Sequence, residues 1–178
     1  EALDNRPPLR GGIEVQNLTF AYDEMNVALQ NVNFKVEPGQ MVALVGRSGC
    51  GKTTLTNILL RLYAPKEGKI LYDGNDANAL DLNYLRHQIG IVVQENFMFS
   101  GTILENIALG DENPSQLRAE TAARVAACHH FIARMPFGYD TPIGERGMSL
   151  SGGERQRICI ARATYRNPRI LIFDEATS

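Results

Sequence analysis

The sequence predicts an α/β fold: a core with a parallel sheet, an antiparallel β flank at the N-terminus, and a helical subdomain over approximately residues 95–150. Two observations carry this. Short alternating apolar segments come first, before residue 37, as in antiparallel strands with one wet face. Continuous apolar runs then alternate with helical patterns, the order of buried strands joined by helices.

The elements follow in chain order. Residues 1–12 are polar, carry Pro7, Pro8, Gly11 and Gly12, and read as a linker; the domain proper is expected over 13–178. Ile13–Tyr22 partly alternates and reads as a strand, and Val32, Phe34 and Val36 make Asn31–Val36 a second. After Pro38-Gly39, the run Met41–Val45 reads as a strand buried on both faces. A glycine loop leads into a helix over Lys52–Leu62. Further strands are expected at Lys69–Tyr72, Ile89–Val93 and Arg169–Phe173, and helices at Leu82–Gln88, Ile103–Leu109, Ser115–Ala127 and Gly152–Arg166. In Ser115–Ala127, Leu117, Ala119, Ala122, Ala123 and Val125 read as packing residues.

Composition bounds the function. The 178 residues suffice for one domain with its own core. A formal net charge of −2 gives no global basic field for nucleic acid, so no nucleic-acid partner is expected. No apolar run approaches the length of a membrane span, so any membrane role needs another segment or chain. Cys50, Cys128 and Cys159 have neither metal-site spacing nor a disulfide framework, which suits a reducing compartment.

The strongest chemical signal is Gly46-Arg47-Ser48-Gly49-Cys50-Gly51-Lys52-Thr53, followed by Thr54, a full phosphate-loop pattern between a strand and a helix. Glycines let backbone N–H groups converge on phosphate oxygens, and the helix start adds a positive dipole. Lys52 is expected at the β- and γ-phosphates of ATP and the Thr53 hydroxyl on Mg²⁺. At average usage the fixed positions would coincide by chance in such a chain on the order of once in a hundred or less. The core is therefore expected to be that of a P-loop NTPase.

The second signal is Ile170-Leu171-Ile172-Phe173-Asp174-Glu175. A buried strand that ends in two acids is costly unless the acids have a task. Asp174 is placed to hold the Mg²⁺ shell, and Glu175 to orient or deprotonate a water. A strand merely leaving the core for solvent is the plainer reading of this element alone.

The third is Leu150-Ser151-Gly152-Gly153-Glu154-Arg155-Gln156-Arg157. Ser151 and Glu154 have capping-box spacing, and Gly152 and Gly153 leave the first-turn N–H groups uncovered, a second anion site. This stretch resembles the signature motif of ABC ATPases.

The resemblance extends over nearly the whole chain. It implies two domains paired head to tail, with Ser151, Gly152, Gly153 and Glu154 of one closing on the ATP of the other. It gives Tyr22, which by position alone is a core or turn residue, the role of stacking on adenine. It gives Gln94 the role of linking Mg²⁺ and water to the transport partner. After Gln94, the Phe97-Met98-Phe99 cluster is either core or an apolar patch for a partner. Gly144-Glu145-Arg146-Gly147, with Phe99–Ile103, resembles exporter-type members, in particular bacterial exporters of peptides, proteins or lipids.

An ABC exporter implies a transmembrane domain, expected upstream of Glu1, and a position on the cytoplasmic face of the membrane. In the family a D-loop and a switch histidine follow the acids at 174 and 175. His87, His129 and His130 all precede them, so the domain is expected to continue past Ser178. The fragment alone is expected to have little or no ATPase activity. Two rivals remain: a soluble ABC ATPase outside transport, which would usually carry two such cassettes or long insertions, and a domain that binds ATP without turnover.

Overall fold

The computed structural model describes residues 5–23, 25–93, 95–144 and 150–174. These fall into two compact units, residues 1–89 and 90–178, taken in turn below.

The first unit is built on a four-stranded antiparallel sheet in the order β2-β1-β3-β4. Its strands are β1 (Ile13–Ala21), β2 (Val27–Val36), β3 (Glu67–Tyr72) and β4 (Asn75–Asp76). In register, Ile13 lies opposite both Val36 and Tyr72. The inward positions of β1 deliver Val15 and Leu18 to a core shared with Ile58, Tyr72 and Leu80. β1 bulges between Gln16 and Thr19, where Asn17 has φ 49° and Gly68 of β3 packs against its backbone. A side chain at 68 would strike that backbone, which is why glycine stands there.

Helices α1 (Lys52–Leu59) and α2 (Leu82–His87) complete this unit. Tyr72 donates its hydroxyl to the Leu59 carbonyl at 2.6 Å, which ties the sheet to the end of α1. Burial pushes the Tyr72 phenol above its ordinary range. Ahead of β1, the Asp73 carboxylate accepts the N–H groups of Arg10, Gly11 and Gly12, and Leu9 is buried.

Met41–Val45 departs from the sequence expectation. Among the described residues it forms no strand, and Met41 and Val45 are each 95% exposed. An apolar run becomes a two-sided buried strand only when neighbouring strands cover it, and none of the described strands pairs with it. Composition recorded the demand for cover without supplying the partner.

The second unit is mainly helical: α3 (Ile103–Ile107), α4 (Gln116–Val125), α5 (His129–Ala133) and α6 (Gly152–Thr164). Their core holds Ile103, Ile107, Ala119, Ala123, Cys128, Ile132, Ile158 and Ala161, all fully enclosed. Strands β6 (Gly101–Thr102) and β7 (Pro142–Ile143) pair antiparallel beside it. β5 (Ile89–Val92) pairs with β8 (Ile170–Phe173). On α4 the expected packing set divides. Ala119, Ala122 and Ala123 are buried, but Leu117 and Val125 are exposed. Leu117 and Val125 lie toward the solvent side of the helix and the alanines toward its packed side.

The class is α/β, with an antiparallel N-terminal sheet, parallel strands and helices, as the sequence predicts. Among the described residues no helix is long and apolar enough to cross a membrane.

Candidate functional site

The phosphate loop lies in the first unit, and its backbone shows why its residue types are required. Gly49 and Gly51 have φ 77° and 96°, conformations that a side chain strains. A Cβ at Gly51 would lie 2.7 Å from the Ala28 carbonyl oxygen, and one at Gly46 would collide with the Cys50 sulfur. The Lys52 ammonium folds back over the loop and donates to the carbonyls of Gly46 at 2.9 Å and Arg47 at 3.0 Å. It stands 3.7 Å from the Cys50 sulfur. Ser48 and Thr53 are exposed, while Thr54 is buried at the next position of α1.

The start of α1 differs from those of α2, α3, α4 and α6. Side chains of Asp81, Thr102, Ser115 and Ser151 cap those four helices. α1 begins at Gly51 with no side-chain cap and no acid in its first turn. Its N-terminal N–H groups and the Lys52 ammonium thus face the same loop, an arrangement suited to a polyanion. The glycine cradle, Lys52 and the exposed Thr53 fit a nucleotide triphosphate with a hydroxyl at hand for Mg²⁺.

Tyr22 stands at the end of β1, 56% exposed. Its ring meets Phe20 and Tyr63 edge to face, with centroids 5.0 and 5.8 Å away. Its hydroxyl is 2.9 Å from the Thr54 hydroxyl, so an exposed aromatic ring is fastened to the helix that begins at the phosphate loop.

In the second unit, Ser151 caps α6 with a complete capping box. The Ser151 hydroxyl accepts from the Glu154 N–H at 3.3 Å, and the Ser151 N–H donates to the Glu154 carboxylate at 2.8 Å. The N–H and hydroxyl of Ser151, reinforced by the charge of Arg157, hold the Glu154 carboxyl below its ordinary range. Gly152 and Gly153 are exposed, so the first turn presents bare backbone. Asp174 follows β8, and its N–H donates to the Val92 carbonyl of β5 at 2.9 Å. Gln94, Glu175 and the stretch Glu145–Gly147 lie outside the described residues.

A family model described as "ABC transporter" matches residues 29–178. The chain belongs to the ABC transporter family. Over 173 residues it is 50% identical to the alpha-hemolysin translocation ATP-binding protein HlyB of Escherichia coli O157:H7. It is 48% identical to the leukotoxin translocation ATP-binding protein LktB of Mannheimia haemolytica. Each match covers 97% of this chain and 24% of the relative, so the chain spans about a quarter of their length. The structure of a bacterial Atm1-family ABC exporter with ATP bound superposes with a TM-score of 0.88 at 44% identity, over 98% of this chain and 31% of that one.

Within this ABC domain, the cluster after residue 94 divides between the two alternatives. Met98 is buried at 1% exposure, whereas Phe97 and Phe99 are 50% and 44% exposed. Two residues that sequence reasoning passed over hold this stretch. Asn106, 1% exposed, receives the Phe99 N–H at 2.9 Å and donates to the carbonyls of Phe99 and Thr102. Arg162 of α6 donates to the Phe97 carbonyl at 2.9 Å and to the Asn106 carbonyl at 2.7 Å. Nothing local marks either residue, because the partners of Arg162 are 56 and 65 positions away.

Proposed function

We propose that this chain is the ATP-binding and hydrolysing domain of an ABC exporter. The observation that carries the reading is the Lys52 ammonium held over a glycine cradle at the uncapped start of α1. The names of its relatives, two translocation ATP-binding proteins and an ABC exporter with ATP bound, support export as the task.

In this reading the triphosphate takes the N–H groups of residues 46–53, and Lys52 turns from the loop carbonyls to the β- and γ-phosphates. Tyr22 stacks on the adenine. Thr53, Gln94 and Asp174 would hold Mg²⁺, which neutralises charge on the phosphates when bound. Glu175 positions or deprotonates the attacking water, and Gln94 reports on the site to the transport partner. Hydrolysis then rests on positioning and charge stabilisation. Two such domains pair head to tail, and the bare first turn at Ser151–Glu154 closes on the γ-phosphate held by the other copy. A transmembrane domain of the same protein, upstream of this one, places it on the cytoplasmic face of the membrane and converts closure into export.

The test is a direct MgATP titration of the complete natural protein and its Lys52→Ala variant. Loss of hydrogen bonds to a charged partner, about 1.5–3 kcal/mol, weakens affinity on the order of 10- to 100-fold. Equal affinity of the two proteins would overturn the assignment of the phosphate loop.

A further inference from the structure

We propose that Arg162 is a positioning residue for hydrolysis: it fixes the stretch that follows Gln94 to the helix that opens with Ser151. The inference rests on the ATPase reading above and adds a residue to it.

The geometry is a two-stage clamp within the second unit. Arg162 uses its whole fork. Nε donates to the Asn106 carbonyl at 2.7 Å, Nη1 to the Phe97 carbonyl at 2.9 Å, and Nη2 to the Asn106 side-chain oxygen at 3.1 Å. Its guanidinium also sits 5.5 Å from the centre of the Phe99 ring. Asn106 forms the second stage and grips Phe99 through both its N–H and its carbonyl, and Thr102 through its carbonyl. Residues 97, 99, 102 and 106 are thereby fastened to one side chain of α6.

The cost of this arrangement argues that it is more than packing. Burial disfavours the charge on Arg162, and what it faces here are three neutral oxygens and, at 3.9 Å, the Cys159 sulfur. A leucine would avoid that penalty but would leave the Phe97 and Asn106 oxygens without this donor. What the guanidinium supplies is direction, since a planar fork fixes two chain segments at defined angles as no apolar side chain can. α6 is a continuous helix from Gly152 to Thr164, so Arg162 lies about three turns from the bare first turn. Any displacement of that turn on meeting a phosphate is carried along the helix to the clamp. The clamp passes it to Phe97, three residues after Gln94.

Such a role predicts a split between binding and turnover. The phosphate loop belongs to the first unit and the clamp to the second. In the complete natural protein, Arg162→Lys keeps the charge and most of the volume but loses the fork. We expect its kcat for MgATP to fall on the order of 10- to 100-fold, as misplaced catalytic groups do. MgATP affinity should stay within about twofold and the melting temperature near that of the parent. Arg162→Ala should lose at least as much turnover, and if that variant does not fold, Arg162→Lys decides alone. Turnover is normalised to bound nucleotide, so that mere loss of folded protein cannot mimic the effect. A normal kcat per bound nucleotide in Arg162→Lys, with the parent hydrolysing ATP, overturns this inference alone. A parent that binds MgATP but never hydrolyses it overturns the ATPase reading and this inference with it.

Discussion

The hydroxyl of Tyr22 lies 2.9 Å from the hydroxyl of Thr54, in the first turn of the helix that starts at the phosphate loop. The ring is held at its edges by Phe20 and Tyr63 while more than half of its surface is open. A stacking role and a structural role for this residue separate by substitution. Tyr22→Phe loses only the hydrogen bond and should bind MgATP within a few fold of the parent, since a neutral hydrogen bond contributes about 1 kcal/mol. Tyr22→Ala loses the ring and should bind about tenfold more weakly, the effect of an aromatic contact near 1.4 kcal/mol. Isothermal titration with ATP and with inorganic triphosphate checks this. Equal losses for both ligands would mean that the ring supports the loop and does not read the base.

Glu175 is proposed as the catalytic carboxylate from its place after Asp174, at the end of an apolar strand. The substitution Glu175→Gln keeps the size and removes the base. We expect MgATP binding to persist while hydrolysis falls on the order of 10²- to 10⁴-fold, the span of general-base contributions. The ATP-bound state should then accumulate as a dimer in light scattering. Normal phosphate release by Glu175→Gln would assign the water to another group.

How much of this could be read in advance depended on how local the cause was. The phosphate loop, the capping box at Ser151 and Glu154, and the strand ahead of Asp174 are contiguous patterns in which neighbours dictate the chemistry, so each was visible in the sequence. Met41–Val45 was misjudged because burial depends on what else in the chain covers it. The five-residue helix His129–Ala133 is too short to show a period. Arg162 and Asn106 were invisible for a third reason. They act across 56 residues, and an arginine on a helix and an asparagine after a capped turn look ordinary alone. The threonine cap at 102, with Glu105 three residues on, was legible by the same rule that found Ser151 and was passed over.

The three cysteines should differ sharply in reactivity. Cys50 is exposed in the phosphate loop, 3.7 Å from the Lys52 ammonium. Cys128 and Cys159 are buried, and burial pushes the Cys128 thiol up to about 11 and raises that of Cys159. Because the thiolate is the nucleophile, alkylation at neutral pH should label Cys50 at least about tenfold faster than the other two. MgATP should protect Cys50 and leave the slow labelling of the buried pair unchanged. Mass spectrometry of the labelled peptides settles it. Uniform labelling, indifferent to nucleotide, would refute both the loop geometry and the site of ATP.

Ser151 combines a structural task with a proposed functional one, and the two respond differently to replacement. The serine hydroxyl caps α6 and, with the Ser151 N–H, holds Glu154 ionised below the usual carboxylate range. Ser151→Ala should cost about 1 kcal/mol and lower the melting temperature by about 2–4 °C. Glu154 has a folded-state value below its ordinary 4.5, so its contribution is present above that value and is lost as pH falls through the lower one. The stability gap between parent and Ser151→Ala should therefore be steady at neutral pH and narrow as the solution is acidified below the ordinary carboxylate value. Ser151→Asn restores a capping side chain and should recover most of the stability. If the serine also meets the γ-phosphate held by a second copy, Ser151→Asn will remain slow in hydrolysis while regaining its melting temperature. Recovery of both together would reduce Ser151 to a helix cap and remove it from the nucleotide site.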